Sequence, residues 1–517
     1  MPKKVVYLIS IIFDRGNKMR KGFDNEKYIS LQSEKIRERI NHFGGKLYLE
    51  FGGKLYDDFH ASRVLPGFEP DSKLRMLKNL SSDAEIIIAI SADDIEKSKV
   101  RSDLDITYDE DVLRLIEVFR GLGFYVGSVV ITKYANQTAA DAFRNRLSSI
   151  GVRSFLHYPI AGYPSDIEKI VSEDGYGKND YIETERPLVV VTAPGPGSGK
   201  MATCLSQLYH EYRRGVKAGY AKFETFPIWN LPLGHPVNLA YEAATADLDD
   251  VNMIDPFHLE AYGEITVNYN RDVEIFPVLR EMLKKIQGES LYKSPTDMGV
   301  NMAGFCIYDN DAVSDAAKKE ILRRYYKAQA EFKRRGLNEN EVTKLKLLMN
   351  KSGATPALMP AVEASLKRAE ETGGPAAAMM LENGEMVTGK TSSLLGAAAA
   401  LTLNALKRLA GIDQETDIIS PSALEPICAL KTKYLRHRNP RLHSDEVLLA
   451  LSISSATNED AAKALSKLDE LRGLDAHFSV IPSQTDEKLF KRLGINLTSE
   501  PKFEKKNSVN LNKFNIQ

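Results

Sequence analysis

The chain has 517 residues, 43% hydrophobic and 27% charged, which places it among globular proteins long enough for about three domains and excludes a disordered polymer. Lysine and arginine number 69 against 70 aspartates and glutamates, so a net charge of −1 gives no broad pull toward nucleic acid or anionic lipid. Cys204, Cys306 and Cys428 lie far apart, which excludes a disulfide framework and a thiolate zinc knuckle.

The first apolar run begins at Val5, after Lys3 and Lys4, and gives way at once to Asp14 and Arg15. It is too short for a signal peptide and lacks a small-residue cleavage site, and its β-branched content predicts a buried strand over 5–12. No other stretch approaches the ~20 apolar residues of a membrane span, so the expected location is cytoplasmic. Further strands are predicted at 85–91, 125–132, 153–157 and 188–192, with helices near 26–43, 107–121 and 138–150. That alternation implies βαβ units and a mostly parallel sheet. A direct repeat, Phe43-Gly-Gly-Lys-Leu-Tyr48 and Phe51-Gly-Gly-Lys-Leu-Tyr56, suggests strand edges or turns.

From Asp311 the texture becomes helical. Ala312 to Arg335 is rich in Ala, Lys, Glu and Arg, Gly336 stops it, and Asn338 signals a cap for a second helix over 341–349. Beyond Gly373-Gly374 the α/β texture returns. Strands are expected at 376–382, 447–454 and 477–481, with helices from Ser392 and over 459–471. The predicted organisation is an α/β domain over 1–310, a helical segment over 311–372, a smaller α/β domain over 373–500 and a polar tail over 501–517.

The sharpest motif follows the strand at 188–192: Ala193-Pro194-Gly195-Pro196-Gly197-Ser198-Gly199-Lys200, then a helix to Arg214. Strand, glycine-rich loop and helix start make an architecture that cradles phosphate on backbone N–H groups. Gly195, Gly197, Ser198, Gly199 and Lys200 are the candidate contacts, with Lys200 reaching a β- or γ-phosphate. The match to a Walker A loop is incomplete, because Pro194 replaces its first glycine and Met201 its magnesium-binding hydroxyl. A tight turn without a ligand is the alternative. A second stretch, Gly384-Glu-Met-Val-Thr-Gly389-Lys390-Thr391, satisfies the Walker A expression in full, yet Asn383-Gly384 between two apolar runs predicts a hairpin. Thr391 or Ser392 would then cap the next helix.

Between Phe226 and Asp272 polar groups crowd together, including Trp229, His235, Asn238, Asp247, Asp255, His258, Glu260 and Arg271. Asp255 and His258, three apart, could meet on one helical turn and hold a divalent metal. Asp255 could also act as base, and Arg271 could clamp an anion. A turn at His235-Pro236 and a solvated helix start at the aspartates are the structural alternatives. Thr296-Asp297 with Asn301, Asp14 to Lys18, and His60 with Arg63 and Asp71 form lesser clusters.

The opening strand with Phe13-Asp-Arg-Gly-Asn-Lys18, the loop from Pro194 to Lys200, Trp229-Asn-Leu-Pro with His235-Pro-Val-Asn238, and Asp255-Pro-Phe-His258 together resemble a conserved bacterial family of about this length, over nearly the whole chain. The resemblance implies no established activity. Some members carry the label of an ATP-dependent zinc protease, but here His210-Glu211 is followed by Arg214 where the second zinc-binding histidine would stand.

Three readings follow. The first is an α/β enzyme for a nucleotide, with Mg²⁺, or a phosphorylated metabolite, performing phosphoryl transfer or ligation. Lys200, His235, Asp255 and His258 are its candidate catalytic groups, and Arg271 joins the loop in binding. The second is a metal-dependent hydrolase using Asp255 and His258. The third is a non-catalytic assembly protein. The expected partner is a small anionic ligand, without nucleic acid or membrane, in a homo-oligomer.

Overall fold

The computed structural model describes residues 20–504 except 54, 57, 102, 103, 290 and 438. The strand expected at 5–12, the cluster from Asp14 to Lys18 and the tail from 505 lie outside the described residues. The chain divides into two compact units, one of residues 21–317 and the other built from residue 318 onward.

The larger unit is organised by a seven-stranded sheet: β1 (Leu47–Phe51), β2 (Ala84–Ser91), β3 (Tyr125–Thr132), β4 (Arg153–Leu156), β5 (Leu188–Thr192), β6 (Gly219–Phe223) and β7 (Gly299–Val300). Their spatial order is β7-β6-β1-β5-β2-β3-β4, and every pairing is parallel. All residues of β1, β2 and β5 are buried, as expected where helices cover both faces of a parallel sheet. Four helices matter for the site: α1 (Asn25–His42), α2 (Tyr108–Gly121), α3 (Thr138–Ser149) and α4 (Lys200–Arg213). A fifth, α5 (Asn270–Gln287), packs against α4, and α4 itself lies on β1, β5 and β6.

The described strands and helices expected in this unit are present, with ends moved by a residue or two. The repeat at 43–56 behaves differently from expectation. Its Leu47–Phe51 is no edge but an interior strand between β5 and β6. Gly44 and Gly45 turn the chain into it at positive φ. Strands β6 and β7 escaped prediction.

The long helix α6 (Asn310–Arg335) leads into the second unit, followed by α7 (Glu339–Ser352) and α8 (Pro360–Thr372). A four-stranded sheet comes next: β8 (Ala376–Met380), β9 (Met386–Lys390), β10 (Asp475–Phe478) and β11 (Asn496–Ser499), in the order β9-β8-β10-β11. Helices α9 (Ala397–Leu409) and α10 (Ser444–Ser454) bury Leu401, Leu406, Val447 and Leu451 in its core. The segment expected as a strand over 447–454 is therefore helical. Its buried Val447, Ala450, Leu451 and Ser454 recur at helical spacing, and a capping box at His443 and Glu446 starts the helix. The helix expected over 459–471 breaks into Glu459–Leu465 and a 3-10 turn at Leu468–Leu471. The helix expected from Ser392 starts instead at Ala397, after the N-cap Gly396, while the Ser392 hydroxyl accepts from the N–H groups of Leu394 and Leu395. No helix among the described residues is long and apolar enough to cross a membrane.

Candidate functional site

The loop from Pro194 to Lys200 leaves the carboxyl end of β5, a central strand, at the edge where open α/β sheets take ligands. Its glycines have distinct reasons. A Cβ on Gly195 would stand 2.2 Å from the Tyr108 hydroxyl, so the first turn of α2 requires a bare backbone there. Gly197 and Gly199 adopt φ +78° and +83°, which favours glycine, and the space beside Gly197 is open. Ser198 is buried and turned inward: its hydroxyl donates to the Gly195 carbonyl at 2.8 Å, and its own carbonyl accepts from Thr132 at 2.8 Å. The loop is thereby stitched to the end of β3. No side chain caps the N-terminus of α4, so the orphan N–H groups of its first turn face the loop.

Lys200 opens that helix. Among the described residues none forms a hydrogen bond or ion pair with its ammonium. Burial lowers its pKa, Glu50 partly opposes that, and Lys222 adds to the lowering. Those two neighbours define the second half of the site. Glu50 and Lys222 face each other in register across β1 and β6. The Tyr220 hydroxyl donates to Glu50 at 2.6 Å. Lys222 forms an ion pair with Glu224 at 2.8 Å, another with Asp272 in the first turn of α5, and a hydrogen bond to Tyr269, the residue preceding that helix. All these side chains are nearly buried.

Lys200 thus lies within electrostatic reach of a nearly buried cluster of Lys222 and three carboxylates. Burial alone would lower the Lys222 ammonium, but Asp272 and Glu224 hold it well above its ordinary value. Burial pushes the Glu224 carboxyl up to about 8 against the pull of Lys222, and Asp272 adds to the rise. Burial likewise holds the Tyr269 and Tyr220 hydroxyls well above the usual phenol range, so both are donors at neutral pH. The arrangement sets a glycine-rich loop and an uncapped helix start at one end and a nearly buried ion-pair cluster at the other. Sequence reading missed Glu50, Lys222, Glu224 and Asp272. The signal that could have found them is a single charged residue inside each of two short apolar strands, Glu50 in β1 and Lys222 in β6, a placement tolerated only with partners.

The other candidates lie elsewhere. His235 caps the helix Pro236–Ala244: its Nδ1 accepts from the Val237 N–H at 3.2 Å, and its Nε2 meets Asn310 at 2.8 Å. Burial lowers its pKa, consistent with a neutral ring. Asp255 caps Pro256–Tyr262, with Oδ1 accepting from the N–H groups of Phe257 and His258 and Oδ2 from the Thr296 N–H and hydroxyl. Its oxygens are spent on the fold. His258 meets the Ser294 hydroxyl at 2.8 Å, and its ring lies tilted against that of Tyr262, 4.7 Å between centroids. Among the described residues no three His, Cys, Asp or Glu side chains form a metal-holding group. Arg271 grips Asp250 through two contacts, 2.5 and 2.8 Å, so its guanidinium is already engaged. Asn301 donates to the carbonyls of Thr225 and Pro227. On α4, His210 meets the Asn179 carbonyl at 2.8 Å, and fully buried Glu211 binds Lys46 at 2.5 Å and Tyr48 at 2.7 Å. Both serve packing.

The complete Walker A expression falls on the hairpin β8–β9, with Gly384 at φ +82°. Gly389 is there for close approach, since a Cβ would lie 2.2 Å from the Leu401 backbone nitrogen. Gly389→Ala should therefore destabilise the second unit by ~1–3 kcal/mol through overpacking, read by chemical denaturation. Lys390→Ala should change the affinity for phosphate or ADP by no more than about twofold; a large loss in titration would move the ligand to this hairpin.

Residues 21–353 match the family described as domain of unknown function DUF1846, N-terminal, and residues 357–508 match its C-terminal counterpart. A UPF0371 protein of Streptococcus thermophilus (strain ATCC BAA-491 / LMD-9) is 58% identical over 485 residues, covering 94% of this chain and 98% of that protein. A UPF0371 protein of Streptococcus pneumoniae (strain CGSP14) shows the same identity and coverage. Matched in both halves and similar almost throughout, the chain belongs to the DUF1846 family.

Proposed function

We propose that the protein is an α/β enzyme that binds a nucleotide or phosphorylated metabolite at Gly195 to Lys200. The observation that carries this reading is the junction of β5, the loop and α4, where a helix start without a side-chain cap meets, at the carboxyl edge of the sheet, a lysine whose ammonium has no hydrogen-bond or ion-pair partner among the described residues. The helix dipole and orphan N–H groups favour an anion there, and Lys200 would add a charge-assisted contact. The first turn of α5 opens beside the same charged cluster, through Asp272. The alternative metal-hydrolase reading gains nothing from Asp255, whose oxygens already serve four donors.

Calorimetric titration of the full chain with phosphate, ADP and ATP, with and without Mg²⁺, tests the reading. Saturable binding of at least one phosphate ligand is expected. Because the Met201 thioether is no magnesium ligand, binding should depend only weakly on Mg²⁺. Absence of binding to all three would leave the loop a structural turn.

A further inference from the structure

We propose that the second unit pairs with a second copy of this chain about a twofold axis. The contact sets an acidic loop of each copy against a basic turn of the other, with exposed apolar side chains of the same segment beside them.

The loop before the helix Pro421–Ala429 carries Asp413, Glu415 and Asp417, and the turn after it carries Lys433, Arg436 and His437; all six side chains are exposed. Among the described residues none of the six forms an ion pair. Both segments are held in shape. The Lys407 ammonium donates to the Gln414 carbonyl at 2.9 Å, and the Gln414 amide donates to the Asn404 carbonyl at 3.3 Å, which ties the acidic loop to α9. In the basic turn the Leu435 N–H reaches back five residues to the Leu430 carbonyl at 2.9 Å. Buried Lys431 anchors that turn to the Arg441 carbonyl at 2.6 Å and to Glu446 of α10 at 2.7 Å. Arg436 stands at φ +53°, a strained conformation for a long side chain. Turns of this kind concentrate at functional positions, and a charge already ordered loses less entropy on pairing than a mobile one.

Leu430, Tyr434 and Leu435 in the turn, and Leu449 and Ile453 on α10, are each more than half exposed. Leu449 and Ile453 stand four apart, so they share the side of α10 turned away from buried Val447, Ala450, Leu451 and Ser454. The helix Pro421–Ala429 packs against α10. Large apolar side chains grouped at a surface mark an interaction site, and tyrosine and arginine recur at the centres of protein interfaces. Charge identifies the occupant. A polyanion or an anionic lipid surface matches the basic turn and leaves the acidic loop unmatched. A twofold contact makes one patch its own partner. The helix has nine residues, about 14 Å, and holds the two charged segments at its opposite ends. Antiparallel alignment with its mate therefore brings each acidic loop to the other copy's basic turn, and both sets of charges are matched at once.

Sedimentation velocity of the full chain decides it. The wild type should sediment as a dimer at micromolar concentration and low salt, and the dimer should weaken as salt rises. Lys433→Glu with Arg436→Glu turns the basic segment acidic. Glu415→Lys with Asp417→Lys turns the acidic segment basic, with Asp413 left to accept from the Glu415 N–H. Each double variant should raise the dimer dissociation constant about a hundredfold or more, since like charges then face each other. An equimolar mixture of the two should recover dimers near the wild-type affinity, because attraction returns at both contacts. Misfolding could not produce that recovery. Should either double variant fold poorly, Leu449→Glu, at an exposed position off the core, should still convert the wild-type dimer to monomer. A monomeric wild type, a dimer that survives either charge reversal or Leu449→Glu, or two folded variants that stay apart on mixing overturns the proposal. A monomeric wild type that sediments with phosphatidylglycerol vesicles assigns the face to lipid in place of a second copy.

Discussion

Lys222→Met should cost about 3–5 kcal/mol of stability at neutral pH, the usual penalty for removing one partner of a buried ion pair. The reason lies in what remains. Glu224 and Asp272 would stay beside each other in a space closed by Tyr269, Tyr241 and α5, with no cation between them. Methionine fills the volume of the lysine stem, so the loss would report charge rather than a cavity. The pH dependence has a definite sign. Glu224 titrates near 8 in the folded chain against an ordinary value of 4.5, so its contribution is fully present below 4.5 and is lost as pH rises through about 8. In the variant the Glu224 carboxyl can take a proton as pH falls, and the deficit should shrink toward acid and widen toward alkali. Chemical denaturation at about pH 5, 7 and 9 reads this directly. Equal stability of the two proteins at every pH would mean that the cluster is hydrated and has no special chemistry.

The same cluster explains how far the sequence could be read. The strands over 84–91, 125–132 and 188–192 are runs of valine and isoleucine, buried on both faces, and their pattern is legible without partners. By contrast, Leu47–Phe51 contains Glu50 between glycine pairs, and Gly219–Phe223 contains Lys222 and runs into Glu224. Charges inside a strand lower its propensity, and here each depends on a partner from another strand or helix. The residues that build the site are therefore the ones that hid its strands. The aspartates and histidines after the loop were conspicuous for the opposite reason. Asp255 and His235 are helix caps, and a cap uses the same side-chain oxygen or nitrogen that a metal or substrate would. Spacing alone cannot separate the two roles; only the count of occupied lone pairs does. The hairpin at Asn383-Gly384 was legible because turn chemistry is local, and the full Walker expression around it carried no structural context.

The loop makes a prediction of the opposite kind from Lys222, in which binding falls and stability does not. Lys200→Ala should weaken phosphate or ADP binding roughly ten- to hundredfold, the loss of one charge-assisted hydrogen bond worth ~1.5–3 kcal/mol. Its thermal stability should be unchanged or raised. Burial lowers the Lys200 pKa and Glu50 only partly opposes it, so the fold bears an ammonium that no carboxylate pairs with directly among the described residues. A charge kept at such a cost is what a ligand-binding position requires, and relieving it stabilises at the expense of function. A lysine that merely supported the turn would behave otherwise, since its removal would loosen the helix start beside Gly199 and Thr132 and lower the melting temperature. Paired titration and thermal denaturation of the wild type and Lys200→Ala separate the two cases. Equal affinity in both proteins, or a variant that loses stability together with binding, would reduce Lys200 to a structural residue.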